Sequence, residues 1–242
     1  MSDKDKTHVV VAVPEMDARQ LADYMAGSDR KKRSVLTDCK YRPIARLMQH
    51  KEARTFVAST LRSGEKNPQA IIEKADFVRS KIATNDFESA TNEANADFIQ
   101  RFGDIVKDIE LPDAEILPGK VFPKLVVNGV KIRFSPSLRF RRLTRTNKVK
   151  IGGLMLRYAK GKALAPPVGE YQSALIFGLI DESREEQAAE ADKSLCLTLD
   201  VITGTMFVAP SRSTSMYANT KAACQSIAEQ WPNLPPPKGA VL

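Results

Sequence analysis

The stretch VFPKLVVNGVKIRF, residues 121–134, marks the point at which the chain changes from helical to extended character. Its two β-branched runs flank Asn128-Gly129, and an Asn-Gly pair between apolar runs is a strong signal for a two-residue hairpin turn. A third strand is predicted over residues 148–158, where Gly152-Gly153 interrupts the run. These residues therefore predict the start of a β-sheet.

The residues before this stretch favour helices instead. Apolar side chains recur there at the spacing of one buried helix face, and Asn67 and Asn85 stand where N-caps are preferred. The predicted elements are a short strand at residues 9–13 and helices at residues 14–27, 44–61, 67–83 and 85–103. Residues 1–115 are therefore predicted to form a mostly helical N-terminal region.

Helices and strands follow one another in the rest of the chain. The predicted elements are a helix at residues 168–180, a hairpin at residues 195–209 and a last helix at residues 216–231. This order predicts an α+β or α/β fold, in which the helical N-terminal region packs on a mixed-sheet α/β core formed by residues 116–231. The tail, residues 232–242, is rich in proline and is predicted to be loose.

Charge is distributed unevenly along the chain. Residues 116–169 contain no Asp or Glu but thirteen Lys and Arg, whereas the whole chain has a net charge of only +8. A run this one-sided repels itself unless an anion neutralises it, and the sequence pI of about 9.4 fits a nucleic-acid binder. We call residues 116–169 the central basic segment; its cations are Lys120, Lys124, Lys131, Arg133, Arg139, Arg141, Arg142, Arg145, Lys148, Lys150, Arg157, Lys160 and Lys162.

The central basic segment is predicted to contact phosphates. Alternation over residues 131–134 puts two cations on one sheet face and two apolar residues on the other. If a strand begins near residue 148, the cations of both parts can line one concave surface. The candidate nucleic-acid-binding residues in this segment are Lys131, Arg133, Arg139, Arg141, Arg142, Arg145, Lys148, Lys150, Arg157, Lys160 and Lys162.

A second basic cluster completes the candidate set and lies in a predicted loop or helix start. Its members are Arg30, Lys31, Lys32 and Arg33. With other N-terminal cations, including Arg54 and Arg62, this cluster can form the other wall of a groove. The open alternative is a solvated basic face, or one neutralised within the protein by the acidic residues Glu182, Glu185, Glu186, Glu190 and Asp192. The aromatic candidates for base stacking are Phe134, Phe140 and Tyr158, although core packing is the commoner fate of such residues.

The element order from residue 121 onwards resembles the core of the PD-(D/E)xK restriction-endonuclease-like nucleases, in particular the branch that includes RecB. Residues 129–136, GVKIRFSP, are similar to the second core strand of that family. Residues 157–162, RYAKGK, are similar to the end of the third strand, and Glu170-Tyr171-Gln172 to the helix that follows. The resemblance covers about half the chain and implies a restriction-endonuclease-like core.

The chain departs from this family at the metal-binding positions. Ser135 and Ser137 stand after the second strand, where the family has an acid. In the third strand, Arg157 replaces the acid and Ala159 replaces the lysine. Because an arginine repels a metal cation, the resemblance implies a nuclease-derived scaffold that has lost catalysis and binds nucleic acid.

Other chemistry has little support in the sequence. The chain lacks a Walker-type phosphate loop and a GxSxG nucleophile elbow. Cys39, Cys196 and Cys224 form no CxxC pair, which predicts reduced thiols, and two histidines are too few for a zinc site. No apolar run approaches the ~20 residues of a membrane span, and the first residues lack the apolar region of a signal peptide. We therefore expect no cofactor, no metal, no membrane association and a cytoplasmic location.

These observations predict a non-catalytic nucleic-acid-binding protein, an accessory or scaffold subunit of a bacterial or phage nucleoprotein complex. Its expected partners are DNA or RNA and other protein subunits, and the resemblance suggests genome defence or a mobile element as the setting. Two alternatives stay open. The first is a metal-dependent nuclease with acids that do not align with the family, such as Asp104, Asp108 or Glu115 with Glu170. The second is a protein-interaction subunit whose basic face meets an acidic partner.

Overall fold

The computed structural model describes residues 6–44, 50–183 and 188–242. The helices are α1 (Ala18–Met25), α2 (Asp29–Lys40), α3 (Lys51–Ser63), α4 (Pro68–Arg79), α5 (Asp86–Ile105), α6 (Pro166–Ser183) and α7 (Ser213–Gln230). The strands are β1 (His8–Val10), β2 (Glu15–Asp17), β3 (Tyr41–Pro43), β4 (Glu115–Pro118), β5 (Leu125–Val127), β6 (Val130–Arg133), β7 (Leu138–Leu143), β8 (Val149–Arg157), β9 (Ala189–Asp200) and β10 (Met206–Val208). Short 3-10 turns follow α5 and α7.

The central layer is a five-stranded mixed sheet with the order β10-β9-β8-β7-β4. Strands β8 and β9 are parallel because α6 crosses over between them, and the other pairs are antiparallel. Most of the helices before β4 pack against this sheet. The predicted α/β fold class, with N-terminal helices on a mixed-sheet core, is confirmed.

A separate three-stranded sheet joins the two halves of the chain. Its order is β2-β6-β5, and Met16 of β2 pairs in parallel register with Ile132 of β6. The hairpin between β5 and β6 turns at Asn128 and Gly129, whose φ angles of 44° and 84° are both positive, as a type I′ turn requires. The predicted hairpin is thus present, but its sheet is not the one that contains β8.

The five-stranded sheet is covered on both faces, and alternate residues of each strand enter different cores. On one face, Met155 and Cys196 pack in a cluster with residues of α1, α2, α6 and α7. On the other, Leu154, Leu156 and Leu197 pack with residues of α3, α4 and α5. Side chains of consecutive residues point to opposite faces of a strand, so a single strand contributes to both clusters.

Several segments differ from the sequence prediction, which did not include the short strands β2, β3 and β4. Residues 138–143 form β7, a strand that was not predicted, since its three arginines obscure the inward pair Leu138 and Phe140. Only residues 125–127 of the predicted strand 121–127 pair with a neighbouring strand, because Pro123 has no N–H to donate. The helix predicted from residue 14 begins at Ala18, where Asp17 and Gln20 form a capping box. Part of the predicted helix 44–61 lies outside the described residues.

The C-terminal tail, predicted to be loose, is held by hydrogen bonds. The buried Lys40 Nζ donates to the carbonyl oxygens of Trp231, Pro232 and Leu234 at 2.8, 3.0 and 3.1 Å. The Tyr41 hydroxyl donates to the same Leu234 oxygen at 2.9 Å. Proline lacks a backbone N–H donor but keeps its carbonyl acceptor, so a proline-rich tail can still be held by donors from the rest of the chain.

Candidate polyanion-binding clefts

Most cations of the central basic segment have carboxylate partners inside the protein. Within the described chain, at least eight of the thirteen lie within 4.0 Å of an Asp or Glu oxygen. The pairs are Lys124–Glu15 (3.4 Å), Arg133–Glu15 (3.0 Å), Arg141–Glu115 (3.8 Å), Arg142–Asp192 (3.0 Å), Lys148–Glu190 (3.5 Å), Lys150–Glu190 (2.5 Å), Arg157–Asp23 (2.5 Å) and Lys160–Asp97. High cation density in the sequence therefore does not translate into a surface of uncompensated charge.

Strand β9 supplies the partners at one end of the segment. In the parallel pairing of β8 with β9, Glu190 stands opposite Lys150. In the antiparallel pairing of β7 with β8, Arg142 stands opposite the same Lys150. The hydrogen bond from Lys150 and the charge of Lys148 lower the pKa of Glu190. Burial acts to raise the pKa of Asp192, but hydrogen bonds from Ser194 and Arg142 lower it overall.

Two of the five acidic residues considered in the sequence analysis, Glu190 and Asp192, therefore neutralise cations of the central basic segment. The carboxylate of Glu182 instead accepts hydrogen bonds from Tyr217 at 2.8 Å and pairs with Lys221 at 2.7 Å. Glu185 and Glu186 lie outside the described residues.

The central cations are divided between two sheets. Lys131 and Arg133 lie on β6, with Val130 and Ile132 buried on the opposite face, as the alternation predicted. Arg139, Arg141 and Arg142, however, lie on β7 of the other sheet. One concave surface lined by both groups stays a prediction.

The second predicted cluster lies at the start of α2, which Ser28 caps. Arg30, Lys31 and Arg33 are exposed there. Lys32 is 4.0 Å from Asp29 and lies over the ring of Tyr24. Of the two alternatives for this cluster, the helix start is the correct one.

A cleft of about 500 Å³ is lined by Arg54 and Arg62, which have no carboxylate within 4.0 Å in the described chain, and by Arg19, which lies 3.4 Å from Asp17. We call it the arginine cleft; its lining includes Arg19, Arg54 and Arg62, together with the hydroxyl residues Thr55, Ser59, Ser135 and Ser137. No carboxylate belongs to the described lining. The cleft therefore presents positive charge and hydrogen-bonding groups to a ligand.

Helix α3 builds one wall of the arginine cleft. Arg54, Ala58 and Arg62 are four residues apart and share one helix face. The opposite face buries Ala53 and Val57 in the core. Packing of that face fixes the direction in which the arginines point.

The opposite wall is the connection between β6 and β7. The Ser137 N–H donates to the Leu154 carbonyl at 2.7 Å, which anchors this connection to β8. Gly119 lies so close to it that a Cβ at Gly119 would stand 2.2 Å from the Pro136 carbonyl oxygen. Only glycine fits this approach, so the positions of Ser135 and Ser137 depend on it.

Arg54 is the arginine of this cleft whose charged form is destabilised by its surroundings. Burial, together with the positive charges of Arg19 and Arg157, lowers the pKa of Arg54 to about 10, although Asp17 partly offsets this. Its Nε is buried and has no hydrogen-bond partner within the described chain. Arg54 is still charged at neutral pH, so an unpaired cationic donor stands at this cleft. An anion bound in the cleft would offset this charge.

Two further clefts adjoin the arginine cleft, and Arg19 lines all three. The larger measures about 720 Å³ and includes Lys31, Arg157 and Lys162 from the predicted set. The smaller measures about 260 Å³ and includes Arg133 and Lys124. Together the three linings contain eight Lys and Arg, against three carboxylates, all of them Asp.

Each of the three carboxylates already has hydrogen-bond or ion-pair partners inside the protein. Asp17 caps α1 and lies 3.4 Å from Arg19, and Asp23 pairs with Arg157 at 2.5 Å. Asp200 accepts hydrogen bonds from the Leu164 N–H and the Thr203 hydroxyl at the turn before β10. Among the described residues, no three His, Cys, Asp or Glu side chains are grouped so that they could hold a metal ion.

The positions that the nuclease resemblance assigns to metal binding lie at these clefts. Ser135 and Ser137 line the arginine cleft, and Arg157 and Ala159 line the larger neighbour. None of the four carries a carboxylate, and Arg157 brings a cation. The residues present at these positions therefore do not fit a magnesium ion.

The acids considered for an unaligned nuclease site lie elsewhere. Asp104 is 3.2 Å from Arg101, Glu115 pairs with Arg141, and Glu170 pairs with Arg212 at 2.5 Å. Neither these residues nor Asp108 belongs to the described lining of the three clefts.

Two of the three candidate stacking residues are packed in the core, and the third, Tyr158, is half-buried and lines the larger neighbouring cleft. Phe134 and Phe140 are only 2% and 1% exposed. Tyr158 stacks on Phe98 with ring centroids 4.4 Å apart, and His50 contacts both rings edge-on. The two phenylalanines are therefore core residues and are not available to stack on bases.

The sequence analysis did not include Arg19 and gave Arg54 and Arg62 only as further cations that could form the other wall of a groove. The available signal was their spacing: Arg54, Ala58 and Arg62 recur every four residues beside a buried apolar face. The proximity of Ser135 and Ser137 had no signal in the sequence, since it depends on how α3 packs on the sheet.

Comparison of the chain with protein-family models and with curated proteins gives no match. The described helices include none with the length and apolar character needed to cross a bilayer.

Proposed function

We propose that this protein binds nucleic acid without cleaving it, as an accessory or scaffold subunit of a nucleoprotein complex, and that phosphates bind along the three adjoining clefts. One observation carries the proposal: eight cations and three already engaged carboxylates line connected clefts centred on Arg19. A polyanion supplies several negative groups in a row, which matches a series of basic clefts better than a single small anion does.

The location of the proposed site differs from the one expected from the sequence. Arg157, Lys162, Arg133 and Lys31 remain candidate contacts because they line the clefts. Arg139, Arg141 and Arg142 of β7 contribute less, since none of them belongs to the described lining of the three clefts. A bacterial or phage complex in the cytoplasm, acting in genome defence or a mobile element, is the setting that we propose from the nuclease resemblance.

The test is fluorescence anisotropy of the protein with labelled single-stranded DNA, duplex DNA and RNA over a range of salt concentrations. We expect the logarithm of the binding constant to fall steeply with the logarithm of the salt concentration, because bound phosphates release counterions. Polyglutamate of matched charge is the control for an acidic protein partner. Weak binding to all three nucleic acids, or equal binding to polyglutamate, would remove the proposal.

Absence of cleavage needs its own assay. The protein is incubated with plasmid DNA and Mg²⁺ or Mn²⁺, and the plasmid is examined for nicks. We expect the plasmid to stay intact. Nicking that EDTA stops, and that co-purifies with the protein through two columns, would instead support a metal-dependent nuclease.

A further inference from the structure

We infer that the larger of the two neighbouring clefts holds an unpaired nucleobase stacked on Tyr158, so that the protein selects single-stranded DNA or RNA over a duplex. This inference rests on the proposed function and specifies the form of nucleic acid that the clefts take. We call this site the tyrosine cleft; it measures about 720 Å³, and its lining includes Tyr158, Lys31 and Lys162.

One face of the Tyr158 ring is left uncovered by its aromatic neighbours. Phe98 stacks on the other face, with ring centroids 4.4 Å apart and an angle of 8° between the ring planes. The centroid of His50 is 5.3 Å from that of Tyr158 and 5.7 Å from that of Phe98, so the three centroids form a nearly equilateral triangle. A ring in that position lies beside the stacked pair and not on the far face of Tyr158. Because Tyr158 is only half-buried and lines the cleft, its ring is accessible to a flat ligand there.

Tyr158 distinguishes the tyrosine cleft from the other two clefts. In the described linings, the arginine cleft has no aromatic residue, and the smaller cleft has Phe122 and Phe134, which are only 6% and 2% exposed. Bases stack on aromatic side chains with little dependence on sequence, since every base has a π face. The tyrosine cleft is therefore the one of the three that offers a base a stacking surface.

Small apolar residues in the tyrosine cleft favour a base over a phosphate alone. Ala159, Ala163, Leu164 and Ala165 line it together with Tyr158. A phosphate loses solvation free energy when it is buried against apolar groups, whereas a planar base buries apolar area of its own. The cleft volume of about 720 Å³ lies within the range of ~300–1,000 Å³ that is typical of small-molecule sites. The lining and the size both match a nucleotide with its base.

Two exposed lysines supply phosphate contacts at the same cleft. Lys31 lies at the start of α2 and Lys162 in the connection between β8 and α6, and neither has a carboxylate within 4.0 Å in the described chain. A strand whose phosphates pair with these lysines brings its bases to the cleft. In a duplex, a base has to leave its pair and its stack before it can enter such a site, which costs free energy. Selection of single strands follows from this difference.

The experiment compares three labelled ligands of equal length at one salt concentration: oligothymidylate, a strand of abasic sugar phosphates, and duplex DNA. Oligothymidylate and the abasic strand have the same number of phosphates, so the difference in affinity measures the contribution of the bases. We expect the native protein to bind oligothymidylate about ten-fold more tightly than the abasic strand, the size of one base–aromatic stack. Oligothymidylate should also bind more tightly than the duplex.

Three variants test the role of the Tyr158 ring. Tyr158→Leu should abolish the preference for oligothymidylate over the abasic strand, whereas Tyr158→Phe keeps the ring and should keep the preference. Tyr171→Leu is the matched control, because Tyr171 is also half-buried but lies outside the described linings of the three clefts. It should keep the preference. Circular dichroism and thermal unfolding establish that the variants are folded.

Photo-crosslinking of the native protein gives a readout that needs no variant. A single strand that contains 5-bromodeoxyuridine is irradiated while bound, and the linked peptide is identified by mass spectrometry. We expect a link at Tyr158, because the modified base stacks on that ring. Links confined to peptides outside the tyrosine cleft would contradict the inference.

The outcomes distinguish this inference from the proposed function. Equal affinity of the native protein for oligothymidylate and the abasic strand, or tighter binding of the duplex, overturns the inference and leaves nucleic-acid binding standing. Failure of every ligand to bind overturns both. Retention of the preference in folded Tyr158→Leu overturns the assignment of the stacking surface to Tyr158.

Discussion

Arg142 on β7 and Arg54 on α3 are both half-buried arginines, but their surroundings are opposite. Arg142 has the Asp192 carboxylate at 3.0 Å and the Ser194 hydroxyl at 3.0 Å. Arg54 has a buried Nε without a hydrogen-bond partner in the described chain, and burial together with two neighbouring arginines lowers its pKa. The first arginine is part of an internal ion pair, whereas the charge of the second is only partly offset within the described chain, by Asp17.

This comparison separates cation density from binding capacity. The central basic segment contains thirteen Lys and Arg and no Asp or Glu, yet carboxylates from β2, β4, β9, α1 and α5 pair with most of these cations. The arginine cleft has only three cations, and its described lining contains no carboxylate. The number of uncompensated charges at one place, rather than along the sequence, decides where a polyanion binds.

The largest expected effect comes from reversing the charge in the arginine cleft. Arg54→Glu should weaken binding of single-stranded DNA about 100-fold or more, since each charge-assisted hydrogen bond contributes ~1.5–3 kcal/mol and the new carboxylate repels phosphate. Anisotropy at one salt concentration measures this loss.

Arg145→Glu is the control, because it changes the net charge equally in the exposed turn between β7 and β8. We expect a loss of about three-fold or less, from the long-range field alone. If Arg145→Glu weakens binding as much as Arg54→Glu, the distinction between the two regions is wrong.

A gain of binding is expected when the central basic segment is unmasked. Glu190→Gln combined with Asp192→Asn removes the partners of Lys148, Lys150 and Arg142. Affinity for duplex DNA should rise about five-fold, and the salt slope should steepen by about one or two units, because new phosphate contacts release counterions. An unchanged slope in a folded double variant would mean that these cations are not masked by carboxylates.

Stability should respond in opposite directions in the two regions. Arg54→Met removes a charge that the fold disfavours, as the pKa lowered from 12.5 to about 10 indicates, so the free energy of unfolding should rise by about 1 kcal/mol. Arg142→Met breaks an ion pair and should lower that free energy by ~0.2–1 kcal/mol. Urea unfolding at low salt measures both. Loss of stability in Arg54→Met would show that Arg54 has a structural role instead.

The smallest effect concerns Asp17, the partner of Arg19. Burial acts to raise the pKa of Asp17, but Arg19 and the backbone N–H of Gln20 hold it below its usual 3.8. The stability from the ionised Asp17 is therefore complete above pH ~4 and is lost as the pH falls through the lower folded-state pKa.

Asp17→Asn tests this pH dependence, because Asn caps a helix about as well as Asp. The variant should show a shallower loss of stability than the native protein in acid unfolding followed by circular dichroism below pH ~4. Identical acid-unfolding curves for the variant and the native protein would contradict the contribution of ionised Asp17 to stability. The same variant leaves Arg19 without its carboxylate and should bind nucleic acid slightly more tightly.

Local features of the fold were predictable because their causes lie in adjacent residues. Asn67 and Asn85 cap α4 and α5 as expected, accepting from the N–H groups of Gln69 and Glu88. Asn128-Gly129 forms the expected turn. Strand β7 was not predictable from its pattern, since Arg139, Arg141 and Arg142 hide an alternation of which only two members are apolar and buried.

The candidate site was less predictable than the fold, since it depends on contacts between distant segments. The partner of Lys150 is Glu190, forty residues away, and only the parallel register that α6 imposes brings them together. Likewise, Ser135 and Ser137 face α3 because of packing against the sheet. Residue types identified the protein as basic, while tertiary pairing determined which cations stay available.

The most direct test of the central claim is footprinting of arginines with phenylglyoxal and mass spectrometry, with and without bound single-stranded DNA. Arg62 and Arg145 are both exposed and give a matched pair in the two regions. We expect nucleic acid to protect Arg62 and Arg19 strongly and to leave Arg145 as reactive as in the free protein. Protection of Arg145 with full reactivity of Arg62 and Arg19 would contradict the account and return the binding surface to the central basic segment.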